Sequence, residues 1–295
     1  LCARKQPPPR DLHFERQRLK AIMYLKHWQL DAKPFEHTAD VRFHYPTEGQ
    51  HAALLKLRYA IENRRPAALL CGASGLGKTL VAQALLRQLP ETCRPQVHLV
   101  FPQMPPEQLV HYLADQLDAG SSSPARSVEQ NFRRLETRLR DNAAAGKHAV
   151  VVVDEAHLLA ETGGLSTLRL LLNLEVDSQS AATYLFVGQT ALMVAIDRMP
   201  ELEERLAVKC LLRRMALEET AAYVQHRMTA AGAKRPIFDD SAIEALQELS
   251  SGVPRKINRL CDLALLVGFA DELQSISRRQ LEAVAEELLG AGAGA

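Results

Sequence analysis

Gly72-Ala73-Ser74-Gly75-Leu76-Gly77-Lys78-Thr79 is the stretch on which the fold turns. It satisfies the pattern G-x-x-x-x-G-K-[ST] at every fixed position. It follows a short apolar run, Ala67–Cys71, and precedes a helical pattern through Leu80, Val81, Ala84, Leu85 and Leu86. Strand, glycine-rich loop and helix in that order predict a phosphate-binding loop. The glycines let the backbone curl so that its N–H groups converge on phosphate oxygens. The helix start adds its positive end to the same anion. Lys78 is expected to reach the β- and γ-phosphates as a point charge. Thr79 is expected to offer its hydroxyl to Mg²⁺. The competing reading, a glycine-rich turn that binds nothing, leaves the lysine and the threonine without a reason.

Working outward, Ala149-Val-Val-Val-Val153 predicts a strand buried on both faces. Asp154 and Glu155 follow it, at the end where open α/β sheets bind ligands. Asp154 lies 76 residues after Lys78. It is read as the second Mg²⁺ ligand, and Glu155 as the general base that polarises the attacking water. His157 is read as a helix-start or packing histidine in preference to a catalytic one. Further apolar runs at Gln96–Phe101 and Thr183–Val187 predict strands. Helical patterns lie between them, at 104–118, 127–143, 167–174 and 191–199. Alternation of this kind predicts a parallel sheet flanked by helices. From about Leu217 the pattern becomes wholly helical, at 217–232, 240–250, 254–270 and 278–289. Capping boxes are expected at Ser241/Glu244 and Ser277/Gln280.

Composition sets the outer bounds. The 295 residues carry 36 basic and 35 acidic side chains, a net charge of +1, so an anion must be held by a local site and not by a bulk field. With 47% hydrophobic and 24% charged residues the chain has globular composition. No apolar run approaches the ~18 residues of a membrane span. Five scattered cysteines without a C-x-x-C pair argue against a disulfide framework or zinc site and for the cytoplasm. Residues 1–22 hold six basic and two acidic side chains without an apolar segment, and are expected to be an extension outside the fold. The expected division is therefore a basic extension at 1–22, an α/β domain at 23–212, a helical lid at 213–290 and a flexible tail at 291–295.

These residues carry a family resemblance. Gly72–Thr79 resembles Walker A and Val150–Glu155 resembles Walker B. A sheet domain with a helical appendage is similar to the AAA+ ATPases. Met23-Tyr-Leu-Lys-His-Trp28 through Pro34-Phe35 and Asp40–Tyr45 resembles the opening of the ExeA/GspA-type group. So do Asp154-Glu-Ala-His-Leu-Leu159, Val187-Gly-Gln189 and Gly252-Val-Pro-Arg255-Lys-Ile-Asn258. That group is related to MshM-type pilus-biogenesis and TnsC/TniB-type transposition ATPases.

The resemblance implies ATP and Mg²⁺ as cofactors, with Gly72 to Leu80 holding the nucleotide. It places Gln189 at the sensor-1 position, orienting water, against the alternative of a turn glutamine. It places Arg255 at sensor 2, reaching the phosphates, against a solvated helix-start arginine. Arg205 stands where AAA+ chains carry the trans arginine finger. The aromatic common after it is here Leu206, and Arg213, Arg214 or a surface ion pair of Arg205 with Glu203 or Glu204 are the alternatives. Secretion-type members add a membrane segment and a peptidoglycan-binding domain; residues 1–295 contain neither.

The expected function is an ATP-hydrolysing switch that forms a homo-oligomer and remodels or recruits a protein partner in secretion, envelope or pilus assembly. The alternative is an ATP-dependent DNA-binding ATPase that selects transposition targets. Arg133, Arg134, Arg138 and Arg140 are its candidate phosphate contacts, against a solvated helix face.

Overall fold

β1, Ala67–Cys71, is buried at all five positions, as a strand covered on both faces must be. The same holds for β3, Ala149–Val153, and for β6, Ala182–Gly188. The structure is a computed structural model that describes residues 22–36, 41–118 and 127–290. The expected extension, but for residue 22, and the tail at 291–295 lie outside the described residues.

Five parallel strands form the main sheet in the order β2-β3-β6-β1-β7, with β2 at Gln96–Leu99 and β7 at Leu206–Leu211. The order puts β6 between the strand that precedes the loop and the strand that precedes the carboxylates. Ala67–Cys71 pairs with Tyr184–Gly188 on one side, and Ala149–Val153 pairs with Ala182–Phe186 on the other. The carboxyl ends of β1, β6 and β3 therefore lie side by side.

Flanking this sheet are α2 (Glu48–Glu62), α3 (Lys78–Gln88), α4 (Pro106–Leu117), α5 (Val128–Ala144) and four shorter helices: α6 (Leu159–Thr162), α7 (Gly164–Leu171), α8 (Ala191–Asp197) and α9 (Pro200–Glu203). A two-stranded hairpin of β4 (Glu175–Val176) and β5 (Gln179–Ser180) precedes β6. Local chemistry sets the helix starts. Thr47 and Gln50 close a capping box on α2, Ser127 and Gln130 close one on α5, and Pro106 occupies the first turn of α4.

The helical unit contains α10 (Leu217–Ala230), α11 (Asp240–Ser250), α12 (Pro254–Ala270) and α13 (Arg278–Gly290). It also holds a short helix at 22–28, here α1, and the segment through Tyr45. This corrects the expected boundary: the sheet unit runs from Pro46 to Arg213, and the residues before it join the helical unit. The reason is burial. Trp28 is 1% exposed in the helical core, and its Nε1 donates to Leu265 O at 3.0 Å. Arg227, also buried, donates to Pro34 O at 2.6 Å and lies over the rings of Phe35 and Phe43.

Three further expectations change in detail. β2 ends at Leu99, where its partner β3 also ends, so Val100 and Phe101 leave the ladder and are exposed. β7 was not expected. It is an edge strand whose residues alternate between partly covered and exposed up to Val208, and Lys209 interrupts its apolar residues. α11 is capped by Asp239, whose Oδ1 accepts from the Ala242 N–H at 2.8 Å. Ser241 instead donates to that carboxylate, and Glu244 is not part of a capping box. At Ser277 half of the expected box is seen: its N–H donates to Gln280 Oε1 at 3.1 Å, and its hydroxyl donates to the same oxygen at 2.6 Å. Among the described residues no helix is long and apolar enough to cross a membrane.

Candidate active site

The loop between β1 and α3 needs glycine at two left-handed positions, Gly75 (φ +83°) and Gly77 (φ +84°). Gly77 has a second constraint: a Cβ there would lie 3.0 Å from Gln50 Nε2. That amide donates to Leu76 O at 2.9 Å. Gln50 thus caps α2 with its carbonyl oxygen and braces the loop with its nitrogen. Its role was not legible in the sequence, because nothing local links residue 50 to residue 76.

Lys78 opens α3 and is 7% exposed. Its Nζ donates to Gly72 O and Ala73 O, both at 3.0 Å, which sets the ammonium over the mouth of the loop. Thr79 Oγ1 donates to Asp154 Oδ2 at 2.7 Å, so the two residues expected to share Mg²⁺ are already in contact. Asp154 is almost fully buried. Burial pushes its carboxyl pKa up, but His98, the Thr79 hydroxyl and the Glu155 backbone N–H outweigh this and hold it below the usual carboxylate value. His98 comes from β2, with Nε2 3.8 Å from Asp154 Oδ2. It too was absent from the expected set.

The donor set fits the implied metal. Among the described residues no cluster of three or more His, Cys, Asp or Glu forms a dedicated cation cage. One hydroxyl and one carboxylate suit Mg²⁺, which keeps waters and takes phosphate oxygens as its remaining ligands. Bound there, Mg²⁺ would neutralise charge on the phosphates.

Glu155 has φ +48°, a left-handed conformation that a side chain with Cβ adopts only where its surroundings impose it. The turn starts a 3-10 helix, Ala156–Leu158, and the Glu155 N–H donates to Asp154 Oδ1 at 2.9 Å. Its Oε2 lies 3.3 Å from His157 Nδ1. His157 Nε2 in turn lies 3.3 Å from Gln189 Nε2, just past the end of β6. The strand order thus brings together Lys78, Thr79, Asp154, Glu155 and Gln189, with His157 between the last two.

Arg205 and the α5 arginines have their partners away from this group. Arg205 donates to Asn173 Oδ1 at 3.0 Å and lies 3.9 Å from Glu175, both at the β4–β5 hairpin, while Glu203 is taken by Lys209. Arg255 is exposed in the first turn of α12, in the helical unit. The four arginines of α5 are engaged with carboxylates. Arg133 pairs with Glu129 at 2.7 Å and Arg140 with Glu136 at 3.0 Å. Arg134 pairs with Asp115 and Asp118, and Arg138 with Asp118. That face is self-neutralised, as expected of a solvated helix face.

Comparison with known proteins agrees with this geometry. A family described as "AAA domain" matches residues 61–193. General secretion pathway protein A of Aeromonas hydrophila is 33% identical over 271 residues, 91% of this chain and 49% of that protein. The chain therefore spans about half the length of the curated relative it matches. Among solved structures, the ORC1 protein of Aeropyrum pernix in complex with DNA aligns with a TM-score of 0.61 at 18% identity, covering 85% of this chain and 68% of that one. The ORC2 protein of the same organism, solved in ADPNP–ADP complexes, aligns at 0.59 and 15%, covering 87% and 72%. At these identities the structures show a shared fold: a parallel sheet flanked by helices and followed by helical elements. The loop, the paired carboxylates, the strand order and the relative at 33% identity converge, and the chain carries an ATP-hydrolysing AAA+ P-loop domain homologous to that of the GspA-type general secretion pathway ATPases.

Proposed function

We propose that this chain is an ATP-driven switch that assembles with copies of itself and acts on duplex DNA. The observation that carries the nucleotide part is the 2.7 Å Thr79–Asp154 hydrogen bond beside the buried ammonium of Lys78. In this reading the loop N–H groups and Lys78 hold the phosphates, and Gly72 to Leu80 form the cradle. Thr79 and Asp154 hold Mg²⁺. Glu155 takes a proton from the attacking water, and Gln189 orients that water. Arg255 answers the nucleotide from the helical unit, and Arg205 is the candidate finger for a neighbouring copy. A finger in trans makes hydrolysis depend on assembly.

DNA as the substrate is supported by the fold shared with the ORC1 protein solved in complex with DNA. The α5 arginines are its candidate phosphate contacts, and each already pairs with a carboxylate. The second reading, a protein partner in secretion or envelope assembly, is favoured by the 33% identity to general secretion pathway protein A. Four free, buried cysteines, Cys71, Cys93, Cys210 and Cys261, support a reducing compartment, the cytoplasm.

Binding to a duplex oligonucleotide at several salt concentrations, with and without a non-hydrolysable ATP analogue, separates the two readings. Affinity that requires the analogue and falls linearly on a log–log salt plot is expected. Absence of binding at low salt would leave the protein-partner reading.

A further inference from the structure

Where the part-exposed side chain of the proposed base meets its neighbour, two covered polar atoms face each other with no hydrogen-bond partner. They are Glu155 Oε2 and His157 Nδ1, 3.3 Å apart and too poorly aligned to bond. Buried polar groups are almost always satisfied, so a complementary orphaned pair at a reactive site calls for an explanation. On its other nitrogen the same imidazole meets Gln189. The proton count allows one self-consistent arrangement for a neutral ring. A carboxylate only accepts, so Nδ1 carries the hydrogen. Nε2 then has a lone pair, which the Gln189 amide N–H can fill.

The fold builds this approach deliberately. Gly188 ends β6, and a Cβ there would lie 3.3 Å from the His157 backbone nitrogen and 2.8 Å from Leu192 Cδ2. Any larger residue would push the 3-10 helix away from the strand that carries Gln189. Glu155 has a left-handed backbone, and its carboxylate lies 3.3 Å from the ring of His157.

We propose that His157 is a positioning residue that ties the general base to the sensor, holding Glu155 through Nδ1–H and reading Gln189 through Nε2. The inference rests on the ATPase reading above. A small rotation of the Glu155 carboxylate completes the bond, and Gln189, drawn toward the terminal phosphate, pulls on the same ring. Base and sensor then act as one unit and not as two independent contributors.

The test is a double-mutant cycle on the full chain, with kcat, KM for ATP, affinity for a non-hydrolysable analogue, and Tm measured for each variant. His157→Ala is expected to lower kcat by about 10–100-fold, the usual cost of losing an orienting partner, with KM and analogue affinity unchanged. His157→Asn, whose amide N–H stands where Nδ1–H stood, should recover part of that loss. The Gln189→Ala and His157→Ala losses should not multiply: the double variant should be no worse than the poorer single one. Multiplying losses, or wild-type kcat in His157→Ala, would overturn the inference while the ATPase reading survives. Should His157→Ala not fold, His157→Asn carries the same cycle. A wild-type protein that does not turn over ATP would remove both.

Discussion

In the proposed mechanism Glu155 and Lys78 do opposite things at the same site, and variants separate them. There Lys78 acts before chemistry. Lys78→Ala is expected to weaken ATP binding by at least about 1.5–3 kcal/mol, the value of a hydrogen bond to a charged group, measured by titration with a fluorescent nucleotide. Glu155, the proposed base, would act during chemistry. Glu155→Gln keeps the side-chain shape and is expected to lower kcat by about 10²–10⁴-fold with nucleotide affinity retained. Loss of binding in Glu155→Gln would contradict the general-base role. These two residues, with Thr79 and Asp154, were legible because short spacings and a strand–loop–helix context define them locally. Gln50, His98 and the His157–Gln189 contact were not. They reach the site across strands and helices, and no spacing along the chain encodes which strand lies next to which.

At the scale of elements, β1, β3 and β6 were legible because burial on both faces leaves an unbroken apolar run, whereas edge strand β7 carries only alternate coverage. The start of β3 contains a titratable element. His148 is buried, with Nε2 2.8 Å from Thr183 Oγ1, and burial followed by the nearby Arg64 charge pushes its pKa down to about 4. In the unfolded chain histidine titrates near 6.5. Between these values the unfolded state binds the extra proton, so stability rises with pH across the window and is lost as pH falls from about 6.5 toward 4. The slope should approach one proton, about 1.4 kcal/mol per pH unit at most. Urea unfolding at pH 5 and pH 7 should therefore show a larger gap for the wild type than for His148→Gln. Equal gaps would mean that His148 does not stay neutral in the fold.

For the whole molecule, the boundary at 45/46 was the feature least legible in sequence. Residues 23–45 precede the sheet unit along the chain, and family motifs run through both, so proximity in sequence points to one domain. Burial decides otherwise. Trp28, Leu30, Phe35 and Phe43 belong to the core that holds α10 to α13. Trp28→Ala should cost the helical unit about 3–5 kcal/mol. Hydrogen exchange would read this as lost protection in α10–α13 with β1, β3 and β6 unchanged, since each core opens as its own cooperative unit. Protection lost first in the strands would assign Trp28 to the wrong unit.

The same discontinuity sets the order in which the molecule can be completed during synthesis. The aromatic residues of 22–45 leave the ribosome before the sheet unit, yet the helices that cover them are made after it. The sheet unit can close as soon as β7 has emerged. Until α10 to α13 have been made, Trp28 and its neighbours remain without their partners, and apolar surface of this kind favours aggregation. A nascent chain stalled after residue 213 should therefore be a competent nucleotide binder that also attracts chaperones through Trp28, Leu30, Phe35 and Phe43.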